Sequence, residues 1–166
     1  MSNPIVKISV KDYGVITAEL YPDQAPVTVA NFVRLAKGNF FEGLIFHRVI
    51  SGFMIQGGGY EPDFSQKNAK AIIGEFAGNG CRTNTISHKR GVLSMARTSN
   101  PNSASSQFFI MHADGEFLDG QYAAFGAVTD GIDVVDKIAA SETGRLGYFD
   151  DVPKTPIIIE SISVVE

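Results

Sequence analysis

Apolar and polar residues alternate along much of this chain in short runs, a pattern that favours strands over helices. Ile5 to Val10 and Val15 to Tyr21 are alternating, β-branched runs separated by Asp12-Tyr13-Gly14, where glycine supplies the positive φ of a tight hairpin. Further strands are predicted at Val92 to Ala96, Gln107 to Met111, Ala124 to Val128 and Ile157 to Val164, each bounded by turn-forming clusters. Two segments change period. Pro26 to Lys37 places Val29, Ala30, Phe32, Val33 and Ala36 at helical spacing, with proline in the first turn, where its missing N–H costs little, and Gly38 beyond the end. Ile132 to Ala140 is the second helical pattern. Many antiparallel strands with two helices predict a mainly β fold, a closed barrel capped by helices, because closure removes unpaired strand edges.

Between Gly57 and Gly91 the periodicity fades into Gly-, Asn-, Lys- and Pro-rich sequence. A loop of that length in a compact domain is usually functional, so it is expected to border the site. The segment just before it, Phe46 to Gly58, mixes Arg48 and Gln56 with several large apolar side chains. If it forms two short strands joined at Ser51-Gly52, Arg48 and Gln56 share one face beside an apolar ring, and His47 faces the other way.

Composition narrows the picture. A chain of 166 residues suits one domain over 1–166, and 44% hydrophobic with 19% charged residues argues against disorder. Twelve Phe and no Trp predict a phenylalanine-rich core. A net charge of −4 leaves no electrostatic footprint for nucleic acid or an anionic membrane surface. No stretch approaches the ~20 apolar residues of a membrane span, and the amino terminus lacks the pattern of a signal peptide. The single cysteine, Cys81, has no disulfide partner, and a cytoplasmic location is the simplest expectation.

Each candidate site residue has an ordinary reading beside the functional one. His47 reads as a hydrogen-bonded core histidine, and Arg48 as a surface salt bridge. His88 and His112 lack the spacing and the cysteine company of zinc motifs, so no metal site is expected. Gly57-Gly58-Gly59 is not followed by Gly-Lys-Ser/Thr and reads as turn glycine. His88-Lys89-Arg90 reads as a solvated turn. Ser94, Ser103, Ser105 and Ser106 all fall outside a Gly-x-Ser-x-Gly elbow, which leaves nucleophilic catalysis a weak alternative. Phe53, Met54, Gln107, Phe109, Phe117, Leu118 and Tyr122, taken singly, fit a core or a rim equally well.

Taken together, these stretches resemble the cyclophilins, peptidyl-prolyl cis-trans isomerases, and the compact bacterial type most of all. The resemblance rests on Phe46-His47-Arg48-Val49-Ile50 with Gly52-Phe53-Met54-Ile55-Gln56-Gly57-Gly58, on Ser94-Met95-Ala96, on Ser106-Gln107-Phe108-Phe109-Ile110, on Phe117-Leu118-Asp119-Gly120 and on Phe125-Gly126. It implies an eight-stranded antiparallel barrel, rotation about Xaa–Pro bonds in aid of protein folding, and no cofactor. It further implies that Arg48 is the catalytic arginine and that Gln56 holds the substrate carbonyl and orients it. Phe53, Met54, Phe109 and Leu118 would line the proline pocket, with Gln107 in the same site. Ala96, Arg97 and Thr98 would pair with the bound peptide through their backbone. Arg97 and Thr98 differ from the commonest family residues, and one extra residue precedes Pro101, which bears on preference for residues flanking proline. Phe117 stands where many members carry tryptophan, which implies weaker affinity for cyclosporin, and Tyr122 replaces a frequent histidine. The implied partners are proline-containing peptides and unfolded or folded client proteins, with the protein itself a monomer. Two rival classes stay open on the residues alone: a proline-recognition or chaperone module that only binds, and a small ligand-binding barrel such as a flavin binder.

Overall fold

The computed structural model describes residues 3–165. Strands β1 (Ile5–Val10), β2 (Gly14–Leu20), β3 (Arg48–Ile50), β4 (Met54–Gly57), β5 (Val92–Met95), β6 (Phe108–Met111), β7 (Ala124–Asp130) and β10 (Ile159–Val165) make one antiparallel sheet in the order β10-β1-β2-β7-β5-β6-β4-β3. Helices α1 (Pro26–Lys37) and α2 (Ile132–Ala139) and a separate hairpin, β8 (Thr143–Leu146) with β9 (Phe149–Pro153), complete the regular structure. Every predicted strand and helix is present to within two residues at each end, whereas the β8–β9 hairpin was not foreseen. Its sequence, Thr143-Gly-Arg-Leu-Gly-Tyr-Phe149, carries almost no apolar alternation, and its outer residues Leu146 and Tyr148 are exposed.

The predicted closed barrel is corrected to a half-barrel. Strands β10 and β3 end the sheet, and among the described residues no ladder joins them. Single bonds bridge the seam instead: Gly43 N–H donates to Ile159 O (2.8 Å), Phe46 N–H to Ile157 O (3.0 Å) and Ile159 N–H to Leu44 O (2.7 Å). Among the described residues strand β3 forms a ladder on one edge only, with β4, and β9 packs against it. Its edge is thereby covered without closure.

The core within the half-barrel is aromatic, as the composition predicts. Phe32 of α1 lies with its ring centroid 5.1 Å from Phe41, 5.3 Å from Phe108 and 5.1 Å from Phe125, and Val134, Val135 and Ile138 of α2 join the same buried cluster. The buried face of α1 differs from the predicted one. Ala30 is exposed, and Thr28 and Asn31 are buried in its place. Both polar groups are satisfied, since Asn31 Nδ2 donates to Ser105 O (2.7 Å) and Thr28 donates through N–H (2.6 Å) and Oγ1 (2.7 Å) to the buried Glu75 carboxylate. Ala25 supplies no side-chain cap to α1, so Glu75 closes the helix N-terminus from the long loop. Glu75→Ala is expected to lower stability by about 2 kcal/mol, with Glu75→Gln recovering at least half of that because an acceptor oxygen remains. Urea unfolding midpoints of the two variants check it.

Pleating decides where the site lies. Ile55, Leu93, Phe108 and Ile110 point into the main core, so their neighbours Met54, Gln56, Phe109 and Met111 point outward. A second, smaller buried cluster forms on that outer face from Met54, Val92, Phe109, Met111, Leu118 and Ala124, flanked by Phe53, Ala96 and Tyr122.

Candidate active site

Cross-strand register builds the site. Arg48 of β3 stands opposite Gln56 of β4, and Gln56 stands opposite Phe109 of β6. Arg48 Nη1 donates to Gln56 Oε1 (3.3 Å), and Gln56 Nε2 donates to Gln107 Oε1 (3.1 Å). This chain of side-chain bonds fixes which way each amide points, and Arg48 itself is exposed. Among the described residues Arg48 has no carboxylate partner, so its ordinary reading as a salt bridge does not hold.

Beside this chain is an open pocket of about 120 Å³ lined by Arg48, Phe53, Met54, Gln56, Ala96, Arg97, Phe109, Leu118 and Tyr122. Its floor is apolar: Met54, Phe109 and Leu118 are buried, and the Tyr122 ring meets Phe109 edge-on at 5.7 Å. Gln107 and Thr98 lie one step away, in an adjoining depression of about 170 Å³ that shares Gln56, Ala96 and Arg97 and adds Gln66, Ser103 and Ser105. Arg97 divides the two. Its guanidinium lies over the rings of Tyr122 (4.8 Å) and Phe76 (4.9 Å) and donates to Gln121 O and Thr98 O. Phe117 is not part of the lining; it is 73% exposed and leans against Phe53, with centroids 5.7 Å apart.

Several supporting residues carried no signal in the sequence. Gly59 is one: a Cβ there would stand 2.4 Å from Gln107 Cγ, so glycine is what lets Gln107 lie flat and reach Gln56. Gly57 needs its missing side chain too, since a Cβ would stand 2.6 Å from Ile45 O. These glycines serve close approach, with Gly58 alone of the three at positive φ (92°). The long loop does border the site, through Gln66.

His88 was expected in a solvated turn, and the structure corrects this: the residue is fully buried, its ring stacked 6.1 Å from Phe109. Its Nδ1 meets Asp119 Oδ1 and its Nε2 meets Ser94 Oγ, both at 2.9 Å. Burial pushes the imidazole pKa down, partly offset by Asp119. Burial opposes ionisation of Asp119, but bonds from Ser87 and from the His88 backbone and ring outweigh it and hold the carboxyl below its usual range. The neutral ring therefore donates from Nδ1 and accepts the Ser94 hydroxyl at Nε2. Connectivity of Ser-His-Asp type is present, yet Ser94 is fully buried and unreachable by a substrate. The group braces Phe109 and is no nucleophile. Lys89 and Arg90 of the same run do lie at the surface, paired with Glu116 and Asp136.

His47 faces away from Arg48 and is buried, both as expected, with its ring 4.6 Å from that of Tyr60. The predicted hydrogen bonding is corrected in part: Nδ1 is buried with no partner. Burial first, and the Arg48 charge second, lower its pKa to about 4. No group of three or more His, Cys, Asp or Glu among the described residues is placed to hold a metal ion, and no described helix is long and apolar enough to cross a membrane.

An antiparallel half-barrel with an apolar-floored pocket on its outer face, rimmed by Arg48, Arg97 and Gln56, defines a cyclophilin-type fold. A family model for cyclophilin type peptidyl-prolyl cis-trans isomerases matches residues 5–164, and the chain belongs to that family. It is 47% identical over 163 residues to peptidyl-prolyl cis-trans isomerase B of Escherichia coli, covering 93% of this chain and 96% of the relative. It is 46% identical over 169 residues to a peptidyl-prolyl cis-trans isomerase of Acinetobacter baylyi, covering 99% and 87%. Among solved structures, a cyclophilin type isomerase of Cryptosporidium parvum superposes with a TM-score of 0.85 at 28% identity, covering 99% of this chain and 98% of that one. The same protein in the presence of the dipeptide Ala-Pro gives a TM-score of 0.83 at 30% identity, covering 98% and 99%. The protein is thus a peptidyl-prolyl cis-trans isomerase, an enzyme that interconverts Xaa–Pro peptide isomers.

Proposed function

We propose that the outer-face pocket is the catalytic centre, that a prolyl ring occupies its apolar floor, and that Arg48 stabilises the twisted amide. The alignment of Arg48 and Gln56 across the β3–β4 ladder, on the rim of a pocket floored by Met54, Phe109 and Leu118, carries this reading. Rotation about the Xaa–Pro bond has a barrier of ~20 kcal/mol, because the nitrogen lone pair is delocalised into the carbonyl. As the bond twists, the nitrogen becomes pyramidal and regains its lone pair. Arg48 then donates to it a hydrogen bond that the planar ground state cannot accept well, which is the differential binding that acceleration needs. Guanidinium remains protonated throughout, so no proton is transferred.

Gln56 restrains Arg48 and, with Gln107, offers amide N–H groups to the carbonyl preceding proline. Ala96, Arg97 and Thr98 run along the pocket's edge and pair with the peptide backbone. Phe53 and Tyr122 form the rim, with Phe117 an exposed outer flank. Proline-containing segments of folding client proteins are the substrates, a reading supported by the related structure determined in the presence of the dipeptide Ala-Pro. Cyclosporin binds weakly, because Phe117 has no indole N–H. A cytoplasmic location fits the lone, half-buried Cys81.

Titration with an Ala-Pro peptide, followed by amide NMR, tests the placement. Shift changes are expected at Phe53, at Ala96 to Thr98 and at Phe109, together with cis–trans exchange broadening of the peptide. Shifts confined to another face would remove the assignment.

A further inference from the structure

The turn that carries Phe53 into the pocket is moored from outside the site. Gly52 N–H donates to His112 Nδ1 (2.8 Å), while His112 N–H donates back to Phe53 O (2.8 Å). Because Nδ1 accepts, a neutral ring carries its proton on Nε2. That nitrogen stands 3.1 Å from Asp136 Oδ1 of α2, and a carboxylate only accepts. Asp136 is in turn held by both Arg90 terminal nitrogens, at 2.7 Å each, and Arg90 Nη1 also donates to His112 O (2.9 Å). The Arg90 bonds first, and its charge next, keep the Asp136 carboxyl below its usual range, so the acceptor is ionised. An orienting carboxylate, a fixed tautomer and a bonded backbone amide follow in sequence from α2 to the pocket wall.

We propose that His112, oriented by Asp136, is a positioning residue of the isomerase: its Nδ1 holds the Ser51-Gly52-Phe53 turn so that the Phe53 ring stays against the substrate's proline. The ring of Phe53 is only half-buried and rests on the exposed Phe117, so packing alone holds it loosely. Gly52 sits at φ +80°, and among the described residues its N–H bonds only to His112. Phe53 touches the prolyl ring alike in the ground state and the transition state. Loss of the mooring therefore weakens uniform binding and appears in KM, with kcat retained.

This inference rests on the pocket being the catalytic centre, and three substitutions at one position separate the two. Asparagine places an acceptor oxygen one bond from Cγ, where Nδ1 stands. Glutamine places its polar atoms one carbon further out, near Nε2, and leucine has none. One neutral hydrogen bond corresponds to about a fivefold change, so His112→Leu and His112→Gln are expected to raise KM about five- to tenfold with kcat within twofold. His112→Asn should keep KM within about twofold of wild type. ¹⁵N spectra of the wild-type ring should show the Nε2–H tautomer and a Gly52 amide shift that His112→Gln abolishes. Unchanged KM in His112→Gln, or equal KM in the Asn and Gln variants, overturns the positioning role. Arg48→Ala, measured alongside, reports on the pocket itself: full activity there would sink the underlying reading, whereas a loss there with a flat His112 series would sink only this inference. Should His112→Leu fail to fold, the Asn and Gln pair still decides.

Discussion

Arg48→Ala is expected to keep the fold and lose two to three decades of isomerase activity. The side chain is exposed, bonds only to Gln56 among the described residues, and contributes nothing to either buried cluster, so its removal leaves no buried group unpaired. A preorganised donor acting on a developing lone pair supplies on the order of 2–4 kcal/mol, which is the stated loss. The effect should fall on kcat, since the interaction is made only as the amide twists. A barrier of ~20 kcal/mol needs more than one such bond to fall to enzymatic levels. In the proposed mechanism the apolar floor and the Gln56–Gln107 pair would supply the remainder, by taking the amide out of water and restraining the carbonyl side. Exchange NMR on an Xaa-Pro peptide measures it, and near wild-type exchange in a folded Arg48→Ala protein would exclude the mechanism. Activity should show no catalytic titration near neutrality, as guanidinium does not ionise there.

Acidification from pH 6.5 toward 4 should destabilise the protein through His47. The imidazole is neutral in the fold, with its pKa lowered from 6.5 to about 4. Below 6.5 the unfolded chain takes up a proton that the native state refuses, so the contribution is complete above that value. It is lost progressively as pH falls toward 4. A shift of that size corresponds to roughly 3 kcal/mol, a large fraction of a typical domain's stability. His88, also pushed down by burial, adds to the loss in the same direction. His47→Phe should remove the His47 share, because a phenyl ring can occupy the niche against Tyr60 and Phe149 without binding a proton. Urea midpoints between pH 7 and 4 are the check. Parallel curves for wild type and His47→Phe would rule out His47 as the cause.

Sequence pattern reached as far as local periodicity and motif order reach. The hairpin of β1 and β2, both helices, and the face shared by Arg48 and Gln56 are all readable from spacing, because each depends on neighbours within one or two turns of chain. Closure was misjudged for a long-range reason: nothing in the three residues of β3 tells that β9 will cover its edge. The polar face of α1 was misread likewise. Thr28 and Asn31 look like surface residues until Glu75 and Ser105 O arrive from the loops that pack on the helix. Within the site, the lining residues were identifiable through family motifs. Their supports were not, since Gly59, His88 and His112 act by contacts with residues dozens of positions away. A glycine required by the flat lie of Gln107 looks the same in sequence as a glycine required by a turn.

The pairing of β1 with β10 has a cost in time. Ile5 lies against Val165 and Val10 against Ile159, so one edge of the first strand waits for nearly the whole chain to be made. Contacts of such separation slow folding, because the closure entropy is spent before the ladder returns anything. Until β10 docks, the β1–β2 hairpin presents an open β-branched edge, the feature most prone to pair with a wrong partner. A prolyl isomerase thus passes through its own vulnerable interval, bounded by the docking of β10.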